Sequence, residues 1–391
     1  MSMRSKLFYS NTTLKFLTVF TFFIFSTCVF SQNEFITTWK TDNPGTSNST
    51  SITIPTIGGG YNYDVDWDND GNFDEIGITG NVTHDFNTSG TYTFSIRGTF
   101  PRIYFNNQGD RRKIISIDQW GNNAWTSMDR AFFGASNLMG NATDTPDLSG
   151  VTSMRFMFGL ATIFDQDISA WDTSTVTNMS YLFYNTSAFN NGGQPLSWNT
   201  SMVSDMSWMF NITTVFNQDI SAWDTSNVTN FLGMFSRAQA FNQEIGGWNT
   251  AKATNMSSMF NGAWVFNQNI SAWDTSKVTG MVSMFLGTGA FNNGGQPLTW
   301  NTSAVTNMLF MFWGAGGFNQ DISSWDTSSV TNMSEMFAWN PAFNQYISAW
   351  NVEKATDFSS MFFNNTAFNN GGQPLSWNTI AATDLSNMFM N

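Results

Sequence analysis

Only one cysteine and one histidine, Cys28 and His84, occur in 391 residues. One histidine cannot build a histidine-based metal cluster, and one cysteine cannot form an internal disulfide. Charge is also scarce. Charged residues make up 11% of the chain, with 15 basic against 28 acidic residues and a formal net charge of −13. A field of that sign repels phosphates and anionic headgroups, which argues against nucleic acid as a partner. Beyond the N-terminus no apolar run is long enough to span a bilayer.

What is present points outward from the cell. Arg4, Lys6 and Lys15 precede an apolar run from Phe16 to Phe30, and Val29-Phe30-Ser31 sets up cleavage before Gln32. This is the pattern of a secretory signal peptide, residues 1–31; the run is short for a membrane anchor, the competing reading. Phe25-Ser26-Thr27 before Cys28 is a poor match to a lipoprotein signal. Cleavage would remove Cys28 and three positive charges, leaving net −16, no cysteine and no membrane span. The expected location is secreted or cell surface, exposed at an outer membrane.

The whole chain is rich in aromatics: 39 Phe and 17 Trp, with 22 Met. That is ample core material, so global disorder is excluded. Much of it recurs in register. Tryptophan returns at Trp171, Trp198, Trp223, Trp248, Trp273, Trp300, Trp325, Trp350 and Trp377, at spacings of 25 or 27. One Phe column runs from Phe158 to Phe389, and a second, six residues later, from Phe164 to Phe368. The unit reads F-N-Q-D-I-S-A-W-D-T-S-x-V-T-N-M-S-x-M-F. Such a period marks a solenoid, in which neighbouring units bury one another's apolar face.

Long units carry a Gly-Gly-Gln-Pro insert before Trp198, Trp300 and Trp377, so residues 188–200 and 367–379 are identical. An insert confined to one point of the repeat marks a loop on one face. Gly192, Gly193, Gln194, Gly294, Gly295, Gln296, Gly371, Gly372 and Gln373 are therefore the candidate ligand contacts.

Within a unit, Ile168 to Trp171 reads as a brief strand and Asp172 to Ser174 as a turn. Val176, Met179, Leu182 and Phe183 follow at helical spacing. The residue after tryptophan is Asp or Asn in all nine units, so a side-chain oxygen matters there and charge does not. That suits a cap or Asx turn, and a ladder of metal ligands much less. The expected fold is an α/β repeat solenoid, with a parallel strand ladder and short helices or helical turns. Stacking at about 4.8 Å makes it roughly 50 Å long. Residues 114–150 read as an irregular capping coil and 151–391 as the array. The sequence stops at Met388-Phe389-Met390-Asn391, partway through a unit, which reads as a fragment or as an end that something else covers.

The units W-D-T-S-x-V-T-N-M-S-x-M-F and F-N-Q-D-I-S-x-W resemble those of the BspA-like leucine-rich-repeat bacterial surface proteins. The resemblance implies a leucine-rich-repeat-like solenoid at the cell surface, used in adhesion or ligand capture. Trp, Met and Phe stand here where that family places leucine.

Residues 32–113 alternate apolar and polar residues between Gly, Asn and Ser clusters, as in Ser51-Ile52-Thr53-Ile54 and Tyr92-Thr93-Phe94-Ser95-Ile96. A small all-β sandwich is expected, similar to PKD-like or immunoglobulin-like modules. It carries the one metal candidate: Asp66, Asp68 and Asp70 before Gly71, then Asp74 and Glu75. Alternating carboxylates before a glycine resemble half a calcium loop. The twelfth position, where a bidentate Glu belongs, is Gly77, so a solvated acidic hairpin is the competing reading.

No other cofactor is implied. His84 beside Asp85 lacks a nucleophile in any recognisable motif. Arg111-Arg112-Lys113 reads as a solvated linker or cap contact, and sequons such as Asn178-Met179-Ser180 as parts of the repeat. The leading function is therefore a non-catalytic surface or secreted protein, whose array adheres to or binds a protein or glycan at the cell surface. Carbohydrate binding is the alternative suggested by the tryptophans, although their register marks them as core. A hydrolase would need carboxylates brought together by the fold.

Overall fold

The computed structural model describes residues 33–391, so the expected signal peptide with Cys28 lies outside the described residues. The first strands are β1 (Phe35–Lys40), β2 (Ser51–Ile54), β3 (Asn62–Asp66) and β4 (Glu75–Ile78). They are followed by β5 (Val82–Asp85), β6 (Thr91–Thr99), β7 (Ile114–Gln119) and the two-residue β8 (Met139–Gly140). Six form one sheet in the order β4-β3-β6-β1-β7-β8, and β2 pairs with β5 in a second. Phe35, Trp39, Tyr63, Val65 and Phe94 from the large sheet share one core with Ile52, Ile54 and Val82 from the small one.

Strand β7 carries the chain from sheet to coils. It pairs antiparallel with β1 and parallel with β8. Just before it, residues 100–107 already behave as a coil. The N–H groups of Phe105, Asn106 and Asn107 donate to the carbonyls of Ala131, Arg130 and Phe133. The core is continuous across this junction through Phe100, Trp120, Trp125 and Phe132.

The coils are not the α/β units the spacing suggested. Among the described residues helix is confined to three single 3-10 turns, at Asn191–Gly193, Asn293–Gly295 and Asn370–Gly372. The expected strand, Ile168 to Trp171, is a turn closed by Trp171 N–H on Ile168 O at 3.2 Å. Parallel pairing instead runs through the expected helix, as a column of single bridges from Ser153 through Asn178, Asp205 and Asn230 to Asp384.

Backbone accounting explains the exchange. The N–H groups of Met179, Tyr181, Phe183 and Asn185 donate to the next coil, at Asp205, Ser207, Met209 and Asn211, over 2.7–3.0 Å. The alternate N–H groups of Leu182, Tyr184 and Thr186 close turns inside the coil, on Met179, Tyr181 and Phe183. Ser180 N–H is taken by the Asn178 side chain at 2.9 Å. Every amide from 179 to 186 is thus satisfied without a helix. The chain of turns requires a left-handed residue at Tyr181 (φ 59°) and again at Asn185 (φ 52°). The three-residue spacing of the apolar side chains belongs to consecutive turns.

Asx turns hold the remaining corners. All nine residues that follow the ladder tryptophans, Asp and Asn alike, accept the N–H two residues on, at 2.9–3.3 Å. In Asp172, Asp224, Asp274 and Asp326 the following serine's hydroxyl and N–H hold the carboxyl below its ordinary range.

Inside, the expected columns are continuous except at the first tryptophan, Trp171, which meets Trp120 edge-on at 5.4 Å. The Phe column from Phe158 to Phe389 stacks at 5.4–6.1 Å. The indoles from Trp198 to Trp377 stack at 6.1–6.5 Å and within 6° of parallel. Each of these indole N–H groups donates to an Ile or Leu carbonyl of the preceding coil, as Trp223 does to Leu196 O at 2.7 Å.

Candidate functional site

The acidic loop joins β3 to β4. Asp66, at the end of β3, is buried, and its carboxylate accepts the N–H groups of Asp70 at 3.2 Å and Gly71 at 2.8 Å. Gly71, at φ 95°, supplies the bend. Asp74 accepts Trp67 N–H at 2.8 Å. Carboxylate oxygens of Asp66, Asp68 and Asp74 lie within 4.8 Å of one another. The other two candidates turn away. Asp70 bonds the N–H and side chain of Asn72, and Glu75 accepts the Trp67 indole N–H at 3.0 Å. Loss of hydration, then the charge of Asp70, pushes the Asp68 carboxyl above its ordinary range. His84 forms no dyad with Asp85. Its ring stacks on Trp67 at 4.5 Å, and Asp85 accepts Asn87 N–H.

The three Gly-Gly-Gln-Pro inserts are alike in detail. Asn191 is buried beneath its loop; its side-chain oxygen accepts Ile168 N–H, and its amide donates to Ser169 Oγ, Gln194 O and Pro195 O. Asn293 and Asn370 repeat these bonds. Consecutive left-handed residues, Asn191, Gly192 and Gly193, make the bend. Nothing lies within 4 Å of where a Cβ on Gly193, Gly295 or Gly372 would stand. All nine candidate contact residues are exposed, on loops whose backbone is pinned from below.

Two carboxylates do share a groove, of about 560 Å³, at the cap coil: Asp118 and Asp144. Both are occupied by structural bonds. Asp144 accepts the N–H groups of Trp120 and Gly121, while Asp118 accepts the hydroxyls of Thr38 and Ser116. The basic run is not wholly solvated either, since Lys113 is buried.

Two residues escaped the sequence reading. Trp264 is 57% and Trp339 is 52% exposed, whereas the ladder indoles are buried up to Trp350. The signal was available: neither falls on the 25/27-residue tryptophan register.

Among the described residues no helix is long and apolar enough to cross a membrane. No match is found among curated proteins or among solved structures. A family model, described as Mycoplasma protein of unknown function, DUF285, matches three times in tandem, over residues 102–196, 191–297 and 296–391. The match is to this family and not to the BspA-like leucine-rich repeats, so of that resemblance the repeat character is what stands. From the last sheet strands to the final coil, the chain belongs to the DUF285 family.

Proposed function

We propose that the chain is a non-catalytic repeat protein, secreted or displayed at the cell surface, whose array serves adhesion by binding a protein partner. The observation that carries this reading is the set of three exposed Gly-Gly-Gln-Pro loops. Each repeats the same conformation on an otherwise regular array, and a buried asparagine holds each in place. Preorganised loops on a rigid scaffold suit recognition, because little entropy is lost on binding. The signal-like N-terminus supports the location. The occupation of Asx carboxylates by turn bonds, and of Asp118 and Asp144 by structural bonds, supports a non-catalytic role.

Exchanging each insert for the shorter F-N-Q-D-I-S-A-W form of the other units removes the loops and keeps the ladder. Binding to a panel of extracellular-matrix proteins is expected to fall about tenfold or more. Unchanged binding by the exchanged protein would rule the loops out as the contact surface.

The same reading includes a weak calcium site on Asp66, Asp68 and Asp74. Three carboxylates fall short of a full calcium shell, and two of them already accept backbone N–H groups. Affinity is expected in the range of extracellular modules, about 10⁻⁴–10⁻³ M. Calorimetry on the chain from residue 32 should show calcium heat that Asp68→Asn abolishes. No heat at millimolar calcium leaves the loop a self-capped acidic hairpin.

A further inference from the structure

Each coil places two side chains outward near its left-handed turns, two residues apart. Along the first of these columns run Arg237, Gly262, Gly287, Gly314 and Trp339. Successive coils are joined there by the bonds from Arg237, Gly262, Gly287 and Gly314 N–H to Asn261, Leu286, Trp313 and Ala338 O. Along the second run Trp264, Gly289, Gly316 and Pro341, tied by Ala290 N–H on Trp264 O and Gly317 N–H on Gly289 O.

Five glycines therefore leave two adjacent columns without side chains of their own, although Arg237 Cγ lies 3.4 Å from where a Cβ on Gly262 would stand. A Cβ on Gly287 or Gly289 would meet nothing within 4 Å. The result is a trough floored by backbone. Arg237 and Trp264 bound one end, and Trp339 and Pro341 the other. Three coil steps of about 4.8 Å make it about 14 Å long, the length of a short run of pyranose rings. Beyond Arg237 it continues into a groove of about 290 Å³ that Tyr184, Trp208 and Ile212 help to line.

We propose that this trough binds a short acidic oligosaccharide, with a carboxylate-bearing sugar at the Arg237 end. Exposed indoles offer flat apolar faces with a polar N–H at the edge, which suits a sugar ring. Phe363 covers Trp339 edge-on from the following coil at 5.8 Å, while the preceding coil offers it only Gly314. Arg237 is exposed and makes no ion pair among the described residues, so its planar fork is free for a carboxylate. An extended peptide fits less well. Strand addition needs unpaired backbone groups, and the floor's N–H groups at Gly262, Gly287, Gly314 and Gly317 are spent on the coil ladder. The site is separate from the Gly-Gly-Gln-Pro loops and goes beyond the function proposed above.

The test is calorimetric titration of the chain from residue 32 with a galacturonic acid trimer and with the neutral galactose trimer. The acidic trimer is expected to bind. Trp264→Ala and Trp339→Ala should each weaken it by about tenfold. Arg237→Gln should remove the preference over the neutral trimer. Gly289→Leu fills open space at an ordinary backbone angle and should abolish binding. All four positions face solvent or open space, so unfolding midpoints should stay at the parent value, which separates a lost site from a lost fold. No binding of the acidic trimer, or binding unmoved by both Trp264→Ala and Gly289→Leu, overturns the proposal. Equal or tighter binding of the neutral trimer overturns the carboxylate assignment.

Discussion

Trp273→Ala is expected to destabilise the array by about 3–5 kcal/mol, the usual cost of removing a large buried aromatic. Trp273 stands mid-ladder, between Trp248 at 6.4 Å and Trp300 at 6.3 Å, with Phe260 at 6.2 Å. Its indole N–H donates to Ile245 O at 3.0 Å. Truncation opens a cavity between two coils and removes one of the two donors on that carbonyl, the Trp248 N–H remaining at 3.1 Å. Trp273→Phe separates the two effects. It keeps a ring in the stack and loses one of that carbonyl's two donors, so it should cost about 0.5–1.5 kcal/mol.

The manner of unfolding should change too. A solenoid coil contacts only its neighbours, so one weak interface uncouples the coils on either side. Denaturant unfolding followed by circular dichroism and by tryptophan fluorescence should therefore become non-coincident in Trp273→Ala. Trp264→Ala, on the same array but at the surface, should stay within about 0.5 kcal/mol of the parent. A Trp273→Ala protein that unfolds at the parent midpoint, in one transition, contradicts the ladder as the main source of stability.

The columns were legible because they are global. Nine tryptophans in one register leave no second way to bury themselves, and the Asp/Asn alternation after each pointed to an oxygen acceptor that the Asx turns employ. Local conformation was less legible. Val176, Met179 and Leu182 are three apart, which serves a helix and a chain of turns equally. What tells them apart is the left-handed backbone at Tyr181 and Asn185, and tyrosine gives no hint of it. The hint lay further along, where Gly233 and Gly262 occupy the same turn positions with φ of 61° and 67°. In the acidic loop, alternate spacing found Asp66 and Asp68. It could not show that Asp70 and Glu75 would be claimed by Asn72 and the Trp67 indole, since those bonds depend on how the hairpin closes. Lys113 was misread as solvated for a similar reason: the carbonyls that surround it come from residues 47–51, far away in sequence.

Lys113→Met is expected to destabilise the sheet region by about 3–5 kcal/mol, because it removes the charge that steadies buried Asp110 and leaves the acceptors of residues 47–51 without their donor. Lys113 and Asp110 are each 1% exposed. Lys113 donates to Ser47 O, Ser47 Oγ, Asn48 O and Ser51 O, all within 3.1 Å. Asp110 accepts the N–H groups of Thr46, Ser47 and Thr53, and the Ser47 hydroxyl at 2.6 Å. Together they tie the β1–β2 connection to the segment entering β7. Burial pushes the Asp110 carboxyl up, yet the Ser47 hydroxyl and N–H, the Lys113 charge and Thr53 N–H together hold it below its ordinary value. A carboxyl depressed in the folded state stabilises the fold above its unfolded pKa, near 3.9, and that contribution fades as pH falls through the folded value. The parent should therefore lose stability in acid. Lys113→Met removes one of the groups holding the carboxyl down, so the gap between its folded and unfolded pKa narrows and its acid loss should be smaller than the parent's. Asp110→Asn should flatten the same limb, and Lys113→Met with Asp110→Asn should recover part of the stability that Lys113→Met loses alone. Urea midpoints measured from about pH 2 to 7 would show all three. A Lys113→Met protein as stable as the parent at neutral pH would mean that Asp110 is held by its hydrogen bonds alone.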